Sequence, residues 1–572
     1  MLSYSLNPYI SFVESRLLPG FVQHAAFHRL TGDLLEPGKT VYGVLFSMGL
    51  GSQISLSEND LNSGHGVEWS QLIQKQFLIP DGYDPLAPLI DHYVTRPIQN
   101  PALAYRSKTG EWVLVRTSME ETVYSRKRDE LPLIVEEKLS SLTAEILLSS
   151  DGSRTLQQIF DTLRNESNGA NLLEDSEFRA AIDFLTVQER QLIKFTKRLE
   201  DLDHPFTWVN IIPRNLYHSE RKDQPRPNSS SKPIIDFHLN GIDDAAWEFD
   251  LIEPTVNHGF RFAHEALGGL DYGSRFCLST LSPEVVPLLN SSSRLEVLEV
   301  GGGTGSFARS FIKQAARLNG TNITYHILDL SPALMENQRN VLGELVPQSR
   351  HFQQDAIEFD LPGRTFDLII SNEVIADFPV ASVQRNRAET TPKWQGEGAY
   401  YLEKYDLSDR DAPDSFVVNA GAFRFVERAW KHLTPGGTLI LSEYGSARHY
   451  PVQTYHLNHD EYSIHFGHLA ACAAKIGFQC RLLTLKEFLD IDDQVPVLNG
   501  REEHILCLNH VLKQYGVRLP YAVISKSDFE TQCQRVVDET ALTGYSFSPL
   551  STGYHFGPNI KDFLVLIMNK PQ

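Results

Sequence analysis

Between residues 295 and 446 the chain alternates short apolar runs with stretches of helical periodicity. The run LEVLEV from residue 295 is the length of a buried strand, and the turn GGGTGS joins it to FARSFIKQAARL, whose apolar positions recur at three-to-four spacing. A second strand, TYHILDL, leads to SPALMENQRNVLGEL, where Ser331 is placed as N-cap and Pro332 as first helical residue. A third strand is expected before Asp355, a fourth at FDLIISNE and a fifth at TLILSEYG after the turn TPGG, and the terminal FLVLIMNK can close the sheet. This alternation predicts an α/β fold with a Rossmann-like, doubly wound parallel sheet.

Upstream the pattern differs. Residues 138–196 read as helix, turn, helix and a longer helix: KLSSLTAEILLSS, DGSRT, LQQIFDTLRN and FRAAIDFLTVQERQLI. That predicts a winged-helix-like domain over 131–215, preceded by an α+β region over 1–130. The segment from Ser219 to Pro233, SERKDQPRPNSSSKP, has no apolar residue to bury. It marks a linker at 216–235, with the catalytic domain at 236–572.

Length and charge narrow the function. The 572 residues provide for several domains, and 41% hydrophobic against 22% charged is ordinary globular usage. The net charge of −20 repels a polyphosphate backbone, so nucleic acid is not the expected partner; a basic peptide or protein suits the balance better. Cys277, Cys472, Cys480, Cys507 and Cys533 are odd in number and lack a CxxC spacing, which points away from a disulfide framework and towards the cytoplasm. No signal peptide and no run long enough to cross a bilayer is read, so no membrane association is expected.

The chemistry collects at the C-terminal ends of the strands, where open α/β sheets bind ligands. Gly301, Gly303 and Gly305 bring backbone amides to a ligand, and Asp329, followed by Leu330, ends the second strand where an acid accepts from ribose hydroxyls. The spacing is GxGxG instead of GxGxxG, and Glu299 before the turn suits the amino group of an amino-acid-like ligand. Asp355 with Ala356 can meet an adenine ring, and Asn372 with Glu373 follows the fourth strand. This ordering predicts a class I methyltransferase using S-adenosyl-L-methionine.

The strings EVGGGTGSFA, ILDLSPALMENQ, SNEVIADFPV, GGTLILSEYG and HDEYSIHFGHLAACAAKIGF together resemble the MidA-like methyltransferase family, which includes a mitochondrial complex I assembly arginine methyltransferase. The resemblance spans about residues 250–572. It places the acidic-glycine turn on Glu299 to Gly305, the SP signature on Ser331 and Pro332 with Gln338, and the NExxDxxPV signature on Asn372, Glu373, Asp377, Pro379 and Val380, with one residue fewer between Asp and Pro. The family's DYG falls on Glu443, Tyr444 and Gly445, with Glu in place of Asp. Its DxTxH falls on Glu461, Ser463 and His465, and Phe466, Gly467 and His468 then replace the usual VDF. What the resemblance implies is N-methylation of an arginine guanidinium, with Glu373 and Asp377 orienting the planar cation and removing a proton, and His465 orienting the substrate or capping its helix. For Asp377 a capping role is an equal alternative. An insertion from Arg385 to Ser415 is expected to shape the acceptor pocket.

Residues 138–196 resemble the PqqD-like peptide-recognition module, which implies capture of a leader peptide as an added strand and a role in tailoring a ribosomally made peptide. Dimerisation or simple packing is the alternative for that region, so a homodimer stays open. His456, His459, His465 and His468 cluster without thiolates, and no metal site is read there. The competing functions are O-methylation of a carboxyl or hydroxyl on a small natural product, and a non-catalytic assembly factor.

Overall fold

The computed structural model describes residues 2–117, 134–196 and 255–572, apart from short interruptions of which 167–174, 387–392 and 552–559 are the longest. The expected linker at 216–235 lies outside the described residues.

The C-terminal half is built on strands β1 (Leu295–Val300), β2 (Ile323–Asp329), β3 (Ser349–Gln353), β4 (Phe366–Asn372), β5 (Leu433–Ser446), β6 (Gln479–Thr484) and β7 (Phe563–Asn569). Their order is β3-β2-β1-β4-β5-β7-β6. Every neighbouring pair is parallel except those of β7, which runs antiparallel to both β5 and β6. The central strands are apolar almost throughout because both faces are covered, with Val297, Leu298, Ile369, Ile370, Leu439 and Ile440 all inaccessible. Helices α1 (Tyr272–Thr280) and α2 (Ser306–Ala315) pack on one face. On the other lie α4 (Ala420–His432) and α5 (Phe466–Ile476), while α3 (Pro332–Leu342) follows β2. Ser331 caps α3 as the sequence predicts, its hydroxyl accepting from the Leu334 amide at 3.3 Å.

The insertion after β4 folds as a separate antiparallel sheet, with Ala381–Asn386 between Lys393–Gln395 and Ser415–Val418 and a helix at Glu397–Tyr405.

The front half departs from its sequence reading in two places. The third helix, expected to run through residue 193, spans Asp175–Thr186, and Ile193–Thr196 is a strand paired antiparallel with Val94–Pro97. The reason is a period of two: Ile193 and Phe195 are both fully buried while the backbone pairs sideways. Ile134–Leu139 is likewise a strand, paired with Trp112–Thr117, which also pairs with Ala102–Arg106. A boundary at residue 130 would therefore cut through shared sheets. Helices at Ser141–Ser149, Leu156–Glu166 and Asp175–Thr186 cover the face that carries Ala104 and Leu114.

The opposite face of that three-stranded sheet, carrying Leu103, Tyr105 and Val115, packs against residues inserted between β6 and β7, among them Ile505, Leu508, Val511 and Phe529. His510 Nε2 lies 2.8 Å from Glu136 across this junction. Among the described residues no helix is long and apolar enough to cross a membrane.

Candidate active site

A cleft of about 1200 Å³, its open mouth included, lies at the C-terminal ends of β1, β2 and β4. It gathers Glu299, Gly301, Gly303, Asp329, Leu330, Asp355, Ala356, Asn372, Glu373 and Asp377, all singled out from the sequence. Gly305 does not line it. At φ +85°, a Cβ on Gly305 would stand 2.9 Å from Gln338 Cα, so this glycine serves the close packing of α2 on α3.

Each polar group in the cleft has a physical reason for its placement. Glu299 is 3% exposed, accepts from the Tyr325 hydroxyl at 3.1 Å, and is pushed up to about 8 by burial, with the Asp329 charge adding to the effect. Asp329 accepts from the Ser331 amide at 3.0 Å and from Gln338 Nε2 at 2.7 Å. The same Gln338 amide donates to Gly303 O at 3.0 Å, fixing the glycine turn to the Asp329 carboxylate. Asp355 accepts from the Ile357 amide at 2.9 Å and so shapes its own turn.

Asn372 lines the cleft with its side chain already committed. Its Oδ1 accepts from the Tyr272 hydroxyl at 2.7 Å and from Ser442 Oγ at 2.5 Å, and its Nδ2 donates to Glu373 Oε1 at 3.0 Å. It therefore positions its neighbours. Glu373 has the left-handed φ of +56°, pinned by its amide donating to Ser442 O at 2.9 Å. Its carboxylate accepts from the Val256 amide at 2.9 and 2.8 Å, and burial raises it to about 7.

Asp377 ends the short 3-10 turn Ile375–Asp377 and faces the cleft. Behind it Glu443, 4% exposed, accepts from the amides of Tyr444 at 2.8 Å and Ala376 at 3.4 Å. Burial first, then the charges of Glu373, Asp377 and Glu461, hold Glu443 well above the usual carboxylate range.

His465 does not line the cleft, and of its two expected roles the helix cap is the one observed. Its Nδ1 accepts from the His468 amide at 3.1 Å to cap α5, and its ring stacks on His468 at 3.7 Å. Burial and His468 lower it to about 3, so it stays neutral. Among the described residues the insertion 385–415 contributes nothing to the cleft, whose lining on that side stops at Pro379. Among the described residues no group of His, Cys, Asp and Glu could hold a metal ion.

Among the lining residues that sequence reasoning missed are Thr255, Asn257, Thr304, Ser306, Gln354, Ile357 and Phe378. Thr304 and Ser306 could have been found, since they flank Gly305 of the turn; Thr255 and Asn257 belong to no recognisable motif.

Residues 278–455 match the family model described as "Putative S-adenosyl-L-methionine-dependent methyltransferase". Over 251 residues the chain is 24% identical to the release factor glutamine methyltransferase of Koribacter versatilis (strain Ellin345), covering 40% of this chain and 82% of the relative. The chain is an S-adenosyl-L-methionine-dependent methyltransferase. Two solved structures from Burkholderia thailandensis align at 19% identity and TM-score 0.30. One is an uncharacterized superfamily protein, covering 56% of this chain and 89% of that one; the other, bound to S-adenosyl-homocysteine, covers 53% and 78%.

The methyltransferase cleft fits its cofactor on its own residues. Gly303 opens onto empty space where a Cβ would point, Glu299 offers a buried acid beside the turn, and Asp329 closes the far side of the turn. Replacing Asp329 with Ala removes the acceptor for Ser331 and Gln338 as well as a cleft carboxylate. The expected outcome is about a hundredfold weaker S-adenosylhomocysteine binding by calorimetry, the loss of charged hydrogen bonds at one buried group.

Proposed function

We propose that this methyltransferase transfers its methyl group to a nitrogen of a peptide or protein side chain, with the arginine guanidinium as the favoured acceptor. The observation that carries the reading is the set of carboxyl groups at one end of the cleft: Asp377 and Glu373 in the lining, Glu443 buried behind them, and the Glu461 charge acting on the last two. A guanidinium stays charged at any ordinary pH and presents a planar fork to carboxylates. In the free protein burial and mutual repulsion favour the protonated form of Glu373 and Glu443, and an arriving cation reverses that preference.

The cofactor supplies an activated methyl on sulfur. The chain's own part is to orient the acceptor, exclude water and take one proton, and in this reading Asp377, at the tip of the 3-10 turn that Glu443 braces, touches the acceptor. The relative's name specifies glutamine and a release factor, which is also a protein. The front half supplies the acceptor: among the described residues its three-stranded sheet ends at strands Ala102–Arg106 and Ile134–Leu139, edges to which a peptide can add as a strand.

The test is mass spectrometry of an arginine-rich peptide library, with glutamine- and carboxyl-rich libraries alongside, after incubation with the full-length enzyme and S-adenosyl-L-methionine. Methylation mapped to arginine, lost about a hundredfold in Asp377→Asn with cofactor affinity unchanged, supports the reading. Methylation confined to glutamine or to carboxyl groups overturns it.

A further inference from the structure

We propose that residues 255–260 are a wall of the cofactor cleft held in place by the Glu373 carboxylate, which makes Glu373 a positioning residue for cofactor retention. The inference rests on the cleft being the cofactor site, and it gives Glu373 a different task from the acceptor contact assigned to Asp377.

The geometry is specific. Thr255 and Asn257 line the cleft opposite Glu373's own strand end, and between them the Val256 amide points at both oxygens of that carboxylate, at 2.9 and 2.8 Å. Val256 opens the helical turn Val256–Gly259, whose first amides have no carbonyl partner within the turn. The Asn257 amide of the main chain adds to the same interaction. From the other side Asn257 Nδ2 donates to Ser306 Oγ at 2.8 Å, tying the wall to the first residue of α2 after the glycine turn. Further on, Phe260 is buried and its ring stacks on Tyr272 at 6.4 Å, while the Tyr272 hydroxyl reaches Asn372. Wall, α1 and the end of β4 thus form one connected network with Glu373 at its centre.

Two further features single out Glu373. A non-glycine residue at φ +56° is uncommon, and backbone strain of this kind persists where the surroundings enforce it. Here the Ser442 carbonyl enforces it from behind and Asn372 from the side. A carboxylate already accepting from two main-chain amides and an amide side chain is poorly placed to take a proton from an acceptor as well.

The experiment uses the full-length protein and S-adenosylhomocysteine as probe. Glu373→Gln and Val256→Pro are compared; the second removes the amide hydrogen at a position where a helix tolerates proline, and Val256 itself does not line the cleft. Both variants are expected to raise the dissociation constant about tenfold or more through faster release, as for loss of a charge-assisted hydrogen bond. Single-turnover methylation at saturating cofactor should stay within about threefold of wild type in Val256→Pro, which changes no residue of the cleft lining. Hydrogen exchange should show amides 256–260 losing protection in Glu373→Gln while β1 and β4 keep theirs, a readout that holds even if Val256→Pro fails to fold. Unchanged affinity and protection in Glu373→Gln with a collapsed single-turnover rate would overturn the proposal and make Glu373 a catalytic residue. Failure of the wild type to bind the probe would remove the cleft assignment itself, and the proposal with it.

Discussion

Glu299→Gln is expected to weaken cofactor binding by about two orders of magnitude while raising the stability of the cofactor-free protein at alkaline pH, because one buried carboxyl serves both outcomes in opposite directions. In the free protein Glu299 is pushed up to about 8, against an ordinary value of 4.5, although the Tyr325 hydroxyl supports its charge. A carboxyl raised by folding favours the folded state fully below its unfolded value. That contribution is lost as pH rises through the folded one. Wild type should therefore lose melting temperature as pH rises from about 5 to about 8, between the unfolded and folded values, and the Gln variant, with no charge to bury, should lose less. Glu373, raised to about 7, adds its own loss in both proteins, so the difference between the two melting curves isolates Glu299. Binding of the cofactor's ammonium requires the ionised carboxylate. Calorimetry of wild type at about pH 7 in buffers of different ionisation enthalpy should accordingly report proton release that Glu299→Gln abolishes. Equal affinity and equal proton release in the two proteins would show that the ammonium lies elsewhere.

The sheet was legible because its signals are local. LEVLEV, FDLIISN and TLILS are buried on both faces, so apolar runs report them directly, and Ser331 with Pro332 announces α3. β6 gave no such signal: Gln479, Cys480 and Arg481 are exposed, as befits an edge strand, and QCRLLT has no apolar run to find. The residues of the cofactor cleft were readable as types at strand ends, but their partners were not. Nothing in the sequence says that Asn372 is consumed by Tyr272, Ser442 and Glu373, or that Val256, more than a hundred positions upstream, would point its amide at Glu373. His465 carried two readings, substrate contact or helix cap, and the cap is the one found. A histidine beside a helix start reads equally as a ligand or a cap, and only burial beside His468 decides between them. The junction of the front sheet with residues 505–536 depends on contacts such as Glu136 with His510, hundreds of positions apart and without charge or spacing cues.

Gly301→Ala should abolish measurable cofactor binding and lower the melting temperature, and a second substitution should return part of both. Gly301 has φ +75°, which costs an alanine about 1–2 kcal/mol by itself. Its new Cβ would also stand 2.3 Å from Val374 Cγ2, a separation that real atoms do not adopt. Val374 is β-branched and stiff at χ1, and it sits between Glu373 and the 3-10 turn that carries Asp377, so it cannot retreat without moving both. The clash therefore transmits from the glycine turn to the acceptor end of the cleft. Val374→Ala removes both methyl groups that meet the new Cβ, leaving the backbone strain and a contact with the Val374 Cβ position at 3.3 Å. Alone, Val374→Ala loses part of the cleft lining and should cost little in stability, since the residue is only half-buried. In the double variant the two effects should couple by about 1–3 kcal/mol in the favourable direction, the size expected of residues in direct contact. Melting temperature and S-adenosylhomocysteine affinity measured across the four proteins give that coupling. A coupling near zero would mean that the turn accommodates the added methyl by moving away from β4, and that the close approach of turn to strand end is not what shapes the cofactor cleft.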